Sequence, residues 1–156
     1  MRIRPFERSD FDALIALARK MWSESTYRNL NLDDGKLRKL GERMVTDPDM
    51  FGFLAEEESG ERIGFFIGFI AEHYFGTDKV ASDLALFVDP GRRGGMAAIR
   101  LMNAFEQWAV SKGAKEICLG ITTGVNEEIT QKLYARLGYE RSGIICKKRP
   151  VFLTQE

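Results

Sequence analysis

Histidine is nearly absent from this chain: of 156 residues, one is His, at position 73, and two are cysteines, Cys118 and Cys146. That supply falls short of the four ligands of a typical zinc site, so no metal is expected. The cysteines show no CxxC spacing, and both fall in apolar runs. They are expected to be buried small hydrophobes in a reducing compartment rather than a disulfide. Net charge is lacking too, because 23 Lys and Arg offset 23 Asp and Glu. No global field therefore draws the chain to nucleic acid or to a membrane surface. No apolar run approaches the ~20 residues of a membrane span, and the opening MRIRPFERSD has no apolar signal region. With only four prolines and no repeat or linker, one domain over 1–156 and a cytoplasmic location are the expectations.

What is present has an ordinary globular balance, 44% hydrophobic and 29% charged. MRIRPF reads as a short extended entry. RSDFDALIALARKMW carries an apolar stripe of Phe11, Leu14, Ile15, Ala18, Met21 and Trp22, with capping-box spacing at Ser9 and Asp12. A second helix carries Leu37, Leu40, Met44 and Val45 and ends before Pro48. Three antiparallel strands follow: MFGFLAEE, RIGFFIGFIAEHYF and VASDLALFV. In the second of these, Ile63, Phe65, Ile67, Phe69 and Ala71 share a face, while Gly64 and Gly68 lie on the other. Those glycines mark a bulge, a close backbone approach, or room for neighbouring aromatics. A helix from Gly95 to about Lys112, a strand KEICLGIT, a helix from Asn126 to Leu137 and a strand pair in YERSGIICKKR complete the order. This is an α+β pattern with one parallel crossover between Val80 and Ile121.

The segment that demands explanation is LALFVDPGRRGGMAAIRLM, Leu84 to Met102. A helix N-terminus offers unpaired N–H groups and the positive end of the macrodipole. Glycines before it let the backbone close around an anion, and Arg92 and Arg93 add charge. The turn is thus suited to a diphosphate, though taken alone it is more simply a helix entry with two solvated arginines. It contains neither GxxxxGK[ST] nor GxGxxG, so it is not a Walker or dinucleotide loop.

Arg92-Arg93-Gly94-Gly95-Met96-Ala97 resembles the R/Q-x-x-G-x-G/A loop of the GCN5-related N-acetyltransferase (GNAT) superfamily. KLYARLGYE, Lys132 to Glu140, resembles that family's fourth-helix ending. The whole order of elements is similar to the family's, which implies a mixed central sheet of about seven strands flanked by four helices. The resemblance implies acetyl-CoA as co-substrate. Its diphosphate would lie on the N–H groups of Arg92, Arg93, Gly94, Gly95, Met96 and Ala97. Its pantetheine arm would pair with the main chain of Leu86, Phe87 and Val88. The Val88 N–H would face the thioester oxygen. Asn126 is either a pantetheine contact or a helix cap.

The implied reaction is direct attack by a primary amine of a small molecule, peptide or protein. At pH 7 an alkyl amine of pKa about 10.4 is neutral in roughly one molecule per two thousand, so a base helps. Tyr134 resembles the family's general acid toward the departing thiolate. The residue aligned with the family's strand acid is Ala81, and Asp83, two residues on, is the nearest replacement. Glu72 and His73 are alternatives near the acceptor. Trp22, Glu24 and Tyr27, with Asp33 and Asp34, line the connection that would receive a cationic amine. Two other readings are a non-catalytic acyl-CoA-binding or partner-binding domain and, more weakly, a nucleic-acid module. An exposed strand or helix face could also support a homodimer.

Overall fold

The computed structural model describes residues 1–150. The chain divides into two compact units, Met1–Gly120 and Ile121–Glu156. The first contains β1 (Arg2–Pro5), α1 (Phe11–Glu24), α2 (Asp34–Thr46), β2 (Met50–Glu56), β3 (Arg62–Glu72), β4 (Lys79–Val88), α3 (Ala97–Ser111) and β5 (Ala114–Cys118). Its five strands lie in the order β1-β2-β3-β4-β5. Pairing is antiparallel from β1 to β4 and parallel between β4 and β5, which α3 connects.

Alternation along β3 builds two cores, because successive side chains leave a strand on opposite faces. Phe65 joins Leu14, Leu17, Met44, Leu54 and Phe87 beneath α1 and α2, with Ile67 and Phe69 packed against them. Phe66 stacks on Phe105 of α3 at a centroid distance of 4.5 Å, and Phe51 meets the same ring edge-on at 5.2 Å. Each such fully buried side chain stabilises the fold by roughly 1.5–3 kcal/mol. Gly68 is required by proximity: a Cβ there would lie 2.7 Å from Phe105 Cε2 and 2.8 Å from Ser82 O.

The entry to α1 departs from the Ser9–Asp12 expectation. The capping box is formed by Glu7 and Asp10, one 3-10 turn (Arg8–Asp10) ahead of the helix. Asp10 is fully buried and held bidentately by Arg4, at 2.7 and 2.8 Å, with Arg62 Nε at 3.0 Å. Burial pushes its carboxyl up, but the hydrogen bonds from Arg4, the Glu7 amide and Arg62 outweigh that and bring it down to about 2.

The second unit contains α4 (Glu127–Arg136). It closes in a Schellman arrangement: Tyr139 N–H donates to Tyr134 O at 3.0 Å and Gly138 N–H to Ala135 O at 3.1 Å. Gly138 has φ +90°, the left-handed conformation expected of it at C′.

Two expectations are corrected here. The described residues contain five strands, not about seven, and Tyr139 to Pro150 form none. Adjacent Ile144 and Ile145 are both exposed, and adjacent apolar residues lack the period of two that gives a strand a buried face. Residues 151–156, the end of the domain expected over 1–156, lie outside the described residues. Nor are the cysteines buried: Cys118 and Cys146 are free thiols and exposed. Cys118 ends β5, the sheet's edge strand, and Cys146 lies in the irregular segment. No helix among the described residues is long and apolar enough to cross a membrane.

Candidate active site

β4 separates from its neighbour halfway along. Its parallel ladder with β5 runs from Lys79–Ala114 to Ser82–Cys118 and stops. On the other side the register with β3 shifts, so that Ile67 faces Ala85 while Gly68 faces Asp83. Leu84 is thus the extra residue of a bulge, which bends the strand where the two parallel strands part.

Beyond the bulge, one edge of β4 carries main-chain polar groups that no neighbouring strand pairs. Asp89 N–H donates to Ile63 O at 2.8 Å, in register with the Phe65–Phe87 and Ile67–Ala85 pairs. Antiparallel ladders alternate, so these residues exchange bonds with β3. Leu86 and Val88 therefore turn their N–H and C=O groups toward the side that β5 has left. Phe87 contributes otherwise than expected: its main chain belongs to the β3 ladder and its ring to the core.

Asp83 stands where the strands part, and its Oδ1 accepts from the Gly120 N–H at 2.9 Å. Burial pushes its carboxyl up to about 6, against the opposing effect of that bond. Although Cys118 is exposed as a residue, desolvation by the atoms around its sulfur, then the charges of Glu116 and Asp83, raises its thiol, which makes it a poor nucleophile at neutral pH.

After β4 the chain makes a 3-10 turn, Pro90–Arg92, begun by Asp89, whose Oδ1 accepts from Gly91 N–H at 3.1 Å. Gly94 has φ +85°, where an L side chain is strained. Gly95 does not, and a Cβ there would meet only Arg92 O, at 3.9 Å. α3 starts at Ala97, two residues after the expected Gly95, with Met96 at the N-cap and no side-chain cap. The N–H groups of Gly94, Gly95, Met96 and Ala97 have no acceptor among the described residues. A glycine that the protein's own atoms do not require, beside uncapped N–H groups, fits a diphosphate.

The arginines of the turn are paired rather than free. Arg92 bonds Glu61 at 2.6 Å. Arg93 pairs with Glu24 through Nη2 and donates from Nε to Val88 O at 2.9 Å. Lys20 pairs with Asp89 and holds that carboxyl below its usual range. Three ion pairs thus tie the turn to α1 and to the β2–β3 turn.

The expected acceptor carboxylates are committed as well. Glu24 holds Arg93, Asp33 caps α2 by accepting from Lys36 N–H at 2.9 Å, and Asp34 pairs with Arg19. Trp22 donates from Nε1 to Leu30 O at 2.8 Å, and the Tyr27 N–H donates to Ser25 Oγ at 3.2 Å. These bonds shape the connection between α1 and α2.

Glu72 and His73 are not brought to Asp83. Glu72 lies four residues along β3 from the Gly68–Asp83 pair, roughly 13 Å at 3.3 Å per residue. His73 Nδ1 accepts from Phe75 N–H at 3.3 Å, and its ring packs on Tyr74 at 4.2 Å. Sequence reasoning missed the Arg93–Glu24 pair, because 69 residues separate its members.

In the second unit Tyr134 is buried, with the Tyr139 ring at 5.8 Å. Asn126 occupies the N-cap of α4 at φ +49° but makes no side-chain cap bond. Its tolerance of the left-handed conformation, rather than capping, explains its place there. Among the described residues no group of three or more His, Cys, Asp or Glu could hold a metal ion.

The site is thus a bulged strand that parts from its parallel neighbour and runs into a glycine-rich helix entry. The model of the acetyltransferase (GNAT) family matches residues 11–139, and the chain belongs to that family. No curated protein sequence matches it. Among solved structures, the chain is similar to AAC(6')-Iy in complex with a bisubstrate analogue, CoA-S-monomethyl-acetylneamine. That likeness has 23% identity, a TM-score of 0.77 and coverage of 97% of this chain and 98% of the other. Glucosamine-6-phosphate N-acetyltransferase from Arabidopsis thaliana is 20% identical, with a TM-score of 0.75 and coverage of 95% and 97%. The aminoglycoside 6'-N-acetyltransferase AAC(6')-IG from Acinetobacter haemolyticus is 17% identical, with a TM-score of 0.74 and coverage of 97% and 99%. At these identities the likeness is one of fold.

Proposed function

We propose that the protein transfers an acetyl group from acetyl-CoA to a primary amine by direct attack. The observation that carries this reading is the open edge of β4 leading into the turn at Gly94 and Gly95. The main-chain groups of Leu86 and the N–H of Val88 are suited to the amides of a pantetheine arm, as an added strand is. The N–H groups of Gly94 to Ala97 and the α3 dipole are suited to its diphosphate. Acetyl-CoA supplies an activated thioester. Val88 N–H would stabilise the negative charge gathering on that oxygen.

Asp83 would receive the proton of the attacking amine, directly or through water. A carboxyl near 6 is a better acceptor than an ordinary carboxylate and is ionised at neutral pH. Tyr134 would return a proton to the coenzyme thiolate, and Asn126 would contact the pantetheine, both carried over from the family resemblance. The raised Cys118 thiol favours direct attack over an acyl-cysteine route. The family match covers parts of both compact units, which supports one catalytic domain.

Aminoglycosides and amino sugars are the first acceptors to try, because the names of similar structures carry them. The test is release of free CoA thiol on mixing protein, acetyl-CoA and a panel of amines. Amine-dependent thiol release with acetylated product supports the reading. Coenzyme binding without turnover of any amine class would instead point to the non-catalytic acyl-CoA-binding alternative.

A further inference from the structure

Arg93 stands in the turn yet directs its guanidinium back toward β4. Its Nε–H donates to Val88 O at 2.9 Å, its Nη2 pairs with Glu24, and its Cζ lies 5.5 Å from the Phe87 ring centroid. Val88 is one of the two residues whose main chain faces the edge abandoned by β5. In a continuous parallel sheet, that carbonyl would accept from a β5 amide. Here the ladder has ended at Ser82–Cys118, and Arg93 supplies the missing donor.

We propose that Arg93, braced by Glu24, is a positioning residue for the acyl-donor edge rather than a ligand of the diphosphate. Glu24 offsets its charge and fixes one arm of the fork. Phe87 supports the plane, and the Nε–H then holds the last carbonyl of the splayed strand. With the carbonyl satisfied, Val88 presents its N–H to the donor in a fixed direction. Lysine cannot substitute, because a single ammonium on a flexible stem lacks the planar fork that reaches a carboxylate and a carbonyl together. Glu24 is thereby assigned to the donor side of the site, although the sequence placed it with the acceptor. This inference rests on the acetyl-CoA reading.

The two roles separate when the coenzyme is divided. Pantetheine and ADP are used as competitive inhibitors against acetyl-CoA, with wild type, Arg93→Ala, Arg93→Lys and Glu24→Gln. Loss of one charge-assisted bond should raise the pantetheine Ki about fivefold or more in all three variants, leaving the ADP Ki within about twofold. Glu24→Gln is the mildest change and guards against misfolding of the arginine variants, each of which is checked by thermal melting. A diphosphate ligand gives the opposite pattern. The ADP Ki rises in Arg93→Ala, Arg93→Lys restores it, and Glu24→Gln tightens ADP by releasing the arginine; that pattern overturns the proposal. If wild type neither binds nor turns over acetyl-CoA, the acetyltransferase reading itself falls, a result distinct from either pattern.

Discussion

The carboxylate of Asp83 accepts a hydrogen bond from the Gly120 amide at 2.9 Å, across the point where β5 leaves β4. One side chain thus closes the vertex of the opening. Burial at that vertex is what pushes its carboxyl up to about 6.

If Asp83 is the base, the pH profile of kcat should show an ionisation near 6, with activity lost on the acid side. Asp83→Asn should remove that limb and lower kcat about 10²–10⁴-fold. Stability should move the other way. A carboxyl raised from 3.8 to about 6 favours the folded state below pH 4, and that contribution is lost as pH rises through 6. Asp83→Asn should therefore gain about 2 kcal/mol at pH 7 relative to its effect at pH 4, read from urea unfolding. A flat difference between the two pH values would contradict the burial argument.

Tyr134→Phe keeps the buried ring beside Tyr139 and removes only the hydroxyl. Kcat should fall about 10²-fold or more, with the acetyl-CoA dissociation constant nearly unchanged. An unchanged kcat would leave Tyr134 a packing residue.

Asp10 is a fully buried charge shared by two arginines. Removing it leaves Arg4 and Arg62 facing each other without their shared carboxylate. Asp10→Ala should cost about 3–5 kcal/mol in thermal or urea unfolding. Because the carboxyl is held at about 2, its contribution is present above pH 4 and lost as pH falls toward 2. The acid-unfolding curve of the variant should accordingly be flatter over that interval.

Gly68→Ala forces a methyl against Phe105 and Ser82 O, and is expected to cost about 1–3 kcal/mol. Gly95→Ala meets no such obstacle and should melt with wild type. Differential scanning of the pair separates a glycine the fold needs from one it does not.

Much of this was legible in the chain because local patterns carried it. The alternation from Ile63 to Ala71 predicted β3, and the apolar stripes of α1 and α2 were periodic over several turns. The turn before α3 could be read only through its resemblance to the family's R/Q-x-x-G-x-G/A loop, because glycines and arginines at a helix entry also suit a solvated turn. The arginines' partners were not readable. Glu24 and Glu61 reach Arg93 and Arg92 only after the sheet has assembled, so spacing carries no trace of them. The splay at Asp83 was an expectation of the family resemblance and not of residue spacing, since a bulge at Leu84 is a property of register between strands. The final strand pair was overread from Ile144 to Lys148, where apolar and basic side chains come in neighbours rather than in alternation.

The central claim is that the turn at Gly94 and Gly95 holds the coenzyme's diphosphate. Titration calorimetry with acetyl-CoA tests it most directly, on wild type and on Gly95→Asp, which places a carboxylate where there is open space. Micromolar binding by wild type, abolished in a variant that melts at the same temperature, is the predicted result. Equal binding by both proteins, or none by folded wild type freed of copurified coenzyme, would contradict it.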